Sequence, residues 1–219
     1  MESQWPRLMA IVDADVAERA GLTMIDLADA CLRGGARLIQ VRAKDVPSGR
    51  FLEIATAIVR LARRARARVI VNDRADVARL AGADGVHVGQ EDLAPVLARR
   101  IVGVEAIVGL STHTQKQLDV AVLQAADAAT ALSYVAIGPV FATPTKTTGY
   151  DAIGVDRVRA AARRLRPDNI PLVAIGGITL ETAYEVIQAG ATTIAVISDL
   201  VTTGNPAARV HDYLERLTI

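Results

Sequence analysis

Cysteine is almost absent from this 219-residue chain, with Cys31 standing alone. A single thiol cannot form an internal disulfide, which excludes a disulfide-stapled secreted scaffold. Three histidines and one cysteine, none clustered at metal-ligand spacing, offer no zinc centre. Aromatic residues make up only 3% of the chain, so its core must be built from Val, Ile, Leu and Ala. No aromatics are interleaved with the basic cluster Arg60 to Arg68, which argues against that cluster as a nucleic-acid-binding patch. Neither charge sign dominates: 25 Lys and Arg face 24 Asp and Glu, and a net charge of +1 exerts no general pull on nucleic acid or anionic membrane. No apolar run approaches the roughly 20 residues of a membrane span, and no basic-apolar leader opens the chain. The expected location is cytoplasmic. The expected partners are small molecules, with neither nucleic acid nor membrane among them and a homo-oligomer left open.

What is abundant is short apolar runs. They recur at Leu8–Val12, Leu38–Val41, Val69–Val71, Val86–Val88, Ala106–Leu110, Val135–Ile137, Leu172–Ile175 and Ile194–Ile197. Between them lie stretches with helical spacing, such as Phe51, Ile54, Ala55, Ile58, Val59 and Ala62. Strand and helix alternate about eight times, the rhythm of a closed parallel barrel rather than an open sheet. The expected fold is therefore α/β, a single (β/α)8 TIM barrel over residues 1–219 with its active site at the C-terminal ends of the strands. Gly35-Ala36, Gly82-Ala83 and Gly190-Ala191 each precede a strand, where a helix ends in a left-handed residue. Cys31 shares a helical apolar pattern with Leu27 and reads as a small core residue. The basic cluster Arg60, Arg63, Arg64, Arg66 and Arg68 reads as the solvated face of one helix.

In such a barrel the chemistry collects where strands end. After the second run the chain reads Gln40-Val41-Arg42-Ala43-Lys44. Alternation turns Gln40, Arg42 and Lys44 inward. Buried there, they need either an anionic ligand or an internal ion-pair network with acids of neighbouring strands. Asn72-Asp73-Arg74 follows the third strand and Gly89-Gln90-Glu91-Asp92 the fourth. Asp73 and Asp92 can meet above the barrel mouth. Two carboxylates beside cationic phosphate-binding groups suit Mg²⁺, which takes its other ligands from phosphate and water; helix N-capping explains either aspartate alone. His87 reads as a satisfied core histidine. Ser111 ends the fifth strand with no acid–base partners legible around it, so it is not read as a covalent nucleophile. Thr112 or Thr114 is placed to cap the helix near Gln115. His113 is either an acid–base group or a capping residue.

The sixth run, Tyr134 to Ile137, breaks at Gly138-Pro139 and leads to Thr143, Pro144, Thr145 and Lys146. Hydroxyls and an ammonium at a strand end suit a phosphorylated ligand, although a surface loop with a solvated lysine has the same composition. Ile175-Gly176-Gly177-Ile178 follows the seventh strand, and Val196-Ile197-Ser198-Asp199 the eighth. Those two loops commonly hold a phosphate in barrels of this type. A second phosphate position, apart from the basic and acidic groups on strands two to four, is expected there.

Taken in order, Q-V-R-A-K, V-N-D-R, D-G-V-H-V-G-Q-E-D-L, G-L-S-T-H-T, I-G-P-V-F-A-T-P-T-K, V-A-I-G-G-I and V-I-S resemble thiamine phosphate synthases from about Leu8 to Ser198. The resemblance implies a (β/α)8 transferase of thiamine biosynthesis. It would join a hydroxymethylpyrimidine diphosphate to a thiazole phosphate with release of pyrophosphate. By the same resemblance Gln40, Val41, Arg42, Ala43, Lys44, Asn72, Ser111 and Lys146 hold the pyrimidine diphosphate, and Asp73 and Asp92 hold Mg²⁺. Thr143, Pro144, Thr145, Gly177, Ile197 and Ser198 hold the thiazole phosphate. Arg42, Lys44, Ser111 and Lys146 are the residues implied in catalysis. The segments D-A-A-T-A-L-S (Asp127–Ser133) and T-T-G-Y-D-A-I-G after Lys146 depart from the family's usual sequence. Two other readings share the barrel: a thiazole phosphate tautomerase using His113, and a non-catalytic barrel that binds thiamine intermediates. The joint presence of Gln40, Arg42, Lys44, Asp73, Asp92 and Lys146 argues against both.

Overall fold

The computed structural model describes residues 5–127, 130, 132–142 and 149–218. Eight parallel strands close into a barrel in sequence order. They are β1 (Leu8–Asp13), β2 (Leu38–Arg42), β3 (Arg68–Asn72), β4 (Gly85–Val88), β5 (Ile107–Thr112), β6 (Tyr134–Ile137), β7 (Leu172–Ile175) and β8 (Thr193–Val196). The helices packed outside are α1 (Ala14–Arg19), α2 (Met24–Arg33), α3 (Ser48–Arg64), α4 (Ala75–Ala81), α5 (Pro95–Val102), α6 (Gln115–Ala126), α7 (Gly154–Leu165), α8 (Leu180–Gln188) and α9 (Pro206–Leu217). Short 3-10 turns follow α7 at Arg166–Asp168 and β8 at Ser198–Val201.

Two apolar shells account for this arrangement. The outward residues of each strand, such as Ala10, Val12, Ile39, Val41, Val69 and Val71, join the inner stripes of the helices in one core. On α3 that stripe is Phe51, Ile54, Ala55, Ile58, Val59 and Ala62, the spacing that faces a helix toward one side. Inward residues form a second cluster in the lumen: Met9, Ile11, Leu38, Ile70, Tyr134, Ala136, Val173 and Ala195. Strands buried on both faces need no polar alternation, which is why the runs read as continuous. Trp5 lies at the base of the lumen, its ring centroid 5.4 Å from that of Tyr134. A methyl group at Gly109 would lie 2.1 Å from the Tyr134 ring, so glycine is what lets that phenol cross the barrel.

Helix ends follow the local chemistry. Thr114 and Gln117 form a reciprocal capping box on α6, and Thr23 with Asp26 does the same on α2. Of the two capping candidates it is therefore Thr114 that caps, whereas the Thr112 hydroxyl donates to the Ala136 carbonyl at 2.8 Å. Gly35, Gly82 and Gly190 have φ of 104°, 66° and 107°, as expected of helix ends that turn back into strands. The basic cluster does not share one helix face. The α3 helix ends at Arg64, Arg66 turns left-handed at φ 54°, and Arg68 begins β3 with its guanidinium 5.1 Å from the Trp5 ring centroid. No helix among the described residues is long and apolar enough to cross a membrane.

Cys31 is fully buried on α2, and burial raises its thiol pKa to about 12. The thiolate is the reactive form, so the native protein should consume no thiol reagent at neutral pH. One equivalent should react once denaturant is added; rapid labelling of the native protein would contradict this burial.

Candidate active site

At the C-terminal mouth, inward alternation meets the strand ends. β1 aligns with β2 so that Ile11 faces Gln40 and Asp13 faces Arg42. The lumen therefore changes from apolar to polar within two residues. A cavity of about 290 Å³ opens there, floored by Met9, Ile11, Tyr134, Val173 and Ala195. Gln40, Arg42, Asn72, His87 and Ser111 enter it from β2 to β5, and Gly176, Gly177, Ile197 and Ser198 border it from the β7 and β8 loops. Gln40, Arg42, Asn72 and Ser111 of one expected set and Gly177, Ile197 and Ser198 of the other thus border one space.

Arg42 is the main cation of the wall. Its guanidinium pairs with Asp13, and the two side chains are 13% and 3% exposed. The Arg42 Nε–H is buried without an acceptor among the described residues. A buried donor left open costs free energy unless a ligand meets it. Asp13 also accepts from the Val16 amide at 3.1 Å, which ties the start of α1 to the same carboxylate. The ion-pair alternative for this strand is thus partly realised, through an acid that the sequence pattern had not singled out.

Lys44 does not continue the inward set. β2 ends at Arg42, alternation ends with it, and the Lys44 side chain is 51% exposed with its Nζ 3.7 Å from Asp73. Val41 is fully buried in the outer core, so only its backbone can serve the mouth. Ala43 is also packed outward.

His87, Tyr134 and Ser111 form a buried chain. The His87 Nδ1 lies 2.8 Å from the Tyr134 hydroxyl and its Nε2 lies 2.8 Å from Ser111 Oγ. Burial raises the Tyr134 pKa, with a hydrogen bond from Gln40 opposing it, so the phenol keeps its proton. A protonated phenol donates to Nδ1; the imidazole proton then sits on Nε2 and Ser111 Oγ accepts it. In that tautomer Ser111, which borders the cavity, keeps its own proton to donate. The core reading of His87 holds, with the addition that it orients Ser111. Register carries this link: His87 aligns with Gly109 and Gly109 with Tyr134, and Ser111 stands two residues further along β5 toward the mouth.

The His113 Nδ1 lies 2.6 Å from the Gly138 carbonyl, and its ring stacks on Tyr150 with centroids 4.2 Å apart. It thus pins the two described ends of the strand-six loop. The interior of that loop, with Thr143, Pro144, Thr145 and Lys146, lies outside the described residues.

Neither aspartate of the expected metal pair caps a helix; the N-caps of α4 and α5 are Arg74 and Ala94. Asp73 sits at φ 63° beside Lys44, and Asp92 accepts from the Gly89 amide at 2.7 Å. The described residues contain no cluster of three or more His, Cys, Asp or Glu able to hold a metal ion. The Asp73 side chain is 22% exposed, Asp92 is exposed four residues beyond β4, and neither is among the residues that line the cavity.

Gly176 and Gly177 have φ of 101° and 65°. A methyl group at Gly177 would lie 2.7 Å from the Ala142 carbonyl oxygen, and one at Gly176 would lie 2.6 Å from Pro139. Glycine is therefore required for packing of the β7 loop on the β6 loop, and not simply to leave room for a ligand. Asp199, Arg209 and Tyr213 form a further buried cluster behind the β8 loop that the motifs did not indicate; Asp199 accepts two hydrogen bonds from Arg209, at 2.9 and 3.0 Å.

A closed barrel with an apolar floor, an open guanidinium donor and convergent hydroxyl and amide groups at its C-terminal mouth defines a (β/α)8 protein built to receive anionic ligands. Over residues 8–200 the chain matches the model of the thiamine monophosphate synthase family. It is 45% identical over 214 residues to a thiamine-phosphate synthase of Koribacter versatilis, covering 97% of this chain and 96% of that one. A thiamine-phosphate synthase of Roseiflexus sp. is 42% identical over 90% of this chain and 79% of its own. Among solved structures, a thiamine phosphate pyrophosphorylase from Pyrococcus furiosus superposes with a TM-score of 0.82 at 28% identity, covering 97% and 96% of the two chains. The chain belongs to the thiamine monophosphate synthase family.

Proposed function

We propose that this protein is a thiamine-phosphate synthase, a transferase that couples 4-amino-2-methyl-5-hydroxymethylpyrimidine diphosphate to thiazole phosphate and releases pyrophosphate. The observation that carries the reading is the single cavity shared by the Arg42 side and the Gly177–Ser198 side, with a buried guanidinium N–H awaiting an acceptor. Phosphorylated precursors are retained inside cells, so the cytoplasm is the compartment this reading implies.

In this mechanism the pyrimidine lies over the apolar floor with its diphosphate toward Arg42, Lys44 and Lys146. The ring amino group donates electrons, so the exocyclic carbon–oxygen bond can ionise to a stabilised cation. Arg42 and Lys146 stabilise charge as it develops on the leaving oxygen, an interaction stronger in the transition state than in the ground state. Ser111, oriented by His87, donates to the pyrimidine diphosphate. The β7 and β8 loops, with Thr143 to Thr145, hold the thiazole phosphate so that the thiazole nitrogen faces the cation. Holding both partners in one cavity converts an encounter into a positioned attack, and no covalent bond to the enzyme is required. Asp73 and Asp92 would hold Mg²⁺, which when bound supplies charge neutralisation on the diphosphate.

Removal of the metal tests this reading directly. Excess chelator should abolish release of pyrophosphate from the two substrates, and added Mg²⁺ should restore it. Asp92→Ala should fold normally and lose roughly 100-fold in kcat/KM, the scale expected for one group that stabilises developing charge. Full activity in excess chelator would remove the metal from the mechanism.

A further inference from the structure

We infer that Tyr213, on the C-terminal helix, is a positioning residue for the thiazole phosphate, acting through Asp199 and Ile178 on the two loops that hold it; the inference rests on the site reading above and deepens it. Tyr213 is fully buried, and its hydroxyl donates to Asp199 Oδ2. The Tyr213 hydroxyl oxygen also lies 3.5 Å from the carbonyl oxygen of Ile178, at the limit of hydrogen-bonding distance. Ile178 directly follows Gly177, and Asp199 directly follows Ser198, so one phenol touches the residues next to two of the expected phosphate contacts. The chain between these loops runs through α8 and β8, and the Tyr213 hydroxyl lies against both loops.

Asp199 itself borders the cavity. A bare carboxylate there would repel a phosphate. Arg209 closes on it with two hydrogen bonds, Nε to Oδ2 at 2.9 Å and a terminal nitrogen to Oδ1 at 3.0 Å, and its guanidinium carbon lies 5.6 Å from the Tyr213 ring centroid. The carboxylate is thus neutralised and held by charge-assisted bonds, the stronger kind. Burial, together with the bond to Asp199 and its charge, raises the Tyr213 pKa, so the phenol remains a donor across the working pH range. An acid facing a phosphate pocket is otherwise hard to account for. Here it serves as the anchor that fixes the β8 loop to α9.

The effect should be confined to one substrate. Gln40 and Arg42 on β2 lie two strands from β8 around the barrel and Asn72 on β3 lies three, and the bonds of Gln40 and Arg42 run to Met9 and Asp13 rather than to the cluster, so the pyrimidine diphosphate should sense its loss far less. Tyr213→Phe keeps the ring in the core and removes only the hydroxyl. Steady-state kinetics with both substrates should show KM for the thiazole phosphate raised about tenfold, the scale of one hydrogen bond to a charged group. KM for the pyrimidine diphosphate and kcat should stay unchanged. Asp199→Asn, which keeps the side-chain shape, should shift the same KM in the same direction and serves if Tyr213→Phe fails to fold. A merely structural role would move stability and leave the ratio of the two KM values alone, and that result would overturn the inference. Titration with inorganic phosphate separates this from failure of the broader reading. If the wild-type protein makes no thiamine phosphate, the functional reading fails, but weaker phosphate binding by Tyr213→Phe still supports the positioning role. Equal phosphate binding by the two proteins overturns it.

Discussion

Asp13→Ala should lower folding stability by about 3–5 kcal/mol, the range for stripping one partner from a buried ion pair. The Arg42 side chain is only 13% exposed, and its Nε already lacks an acceptor among the described residues. Removing the carboxylate leaves a guanidinium in the barrel wall without its counter-charge. The loss of the Asp13 cap on the Val16 amide adds to this, a contribution of about 1 kcal/mol. Urea unfolding would measure the total. Asp13→Leu combined with Arg42→Met should recover most of the stability, because an apolar pair of similar volume carries no desolvation penalty. The double variant should still be inactive. A barrel destabilised by less than 1 kcal/mol in Asp13→Ala would mean that water reaches Arg42 and that the mouth is not the low-dielectric site described.

Lys146→Ala should lower kcat by roughly 10²–10³-fold, the usual consequence of removing one group that stabilises developing negative charge. A cation at the leaving pyrophosphate gains most as the carbon–oxygen bond breaks, so its loss falls on turnover more than on binding. The variant should fold and still bind both substrates. Lys146→Arg should regain only part of the rate, since a planar fork cannot replace a compact ammonium without shifting. Single-turnover measurements would isolate the chemical step. If that step is unchanged in Lys146→Ala, the lysine is a solvated surface charge.

The barrel was legible in the sequence because parallel strands buried on both faces leave unbroken apolar runs, and those runs locate all eight strands to within a residue or two. The places of Asn72 and Ser111 at the cavity were legible because each follows such a run, and that of Gln40 because it alternates inward within one. Lys44 was misplaced by extending alternation past Arg42, where the strand stops. Asp13 stayed hidden because its importance depends on register: only the pairing of Asp13 with Arg42 across β1 and β2 makes it a counter-ion. Tyr134 was read as the start of an apolar run, whereas its hydroxyl acts on His87 because Gly109 leaves the space for the ring. The Asp199–Arg209–Tyr213 cluster joins residues up to 14 positions apart on a turn and a helix, and no local motif marks that contact. Gly177 is expected from the sequence to border a phosphate, but the neighbour that requires glycine there is the backbone of the β6 loop.

The most direct measurement is phosphorus NMR of the purified protein with Mg²⁺, the pyrimidine diphosphate and the thiazole phosphate together. The expected spectrum shows one pyrophosphate formed for each thiamine phosphate, with neither product when either substrate is left out. Isomerisation of the thiazole phosphate without coupling, or binding of both compounds with no pyrophosphate released, would contradict the assignment of this barrel mouth as the place where the two are joined.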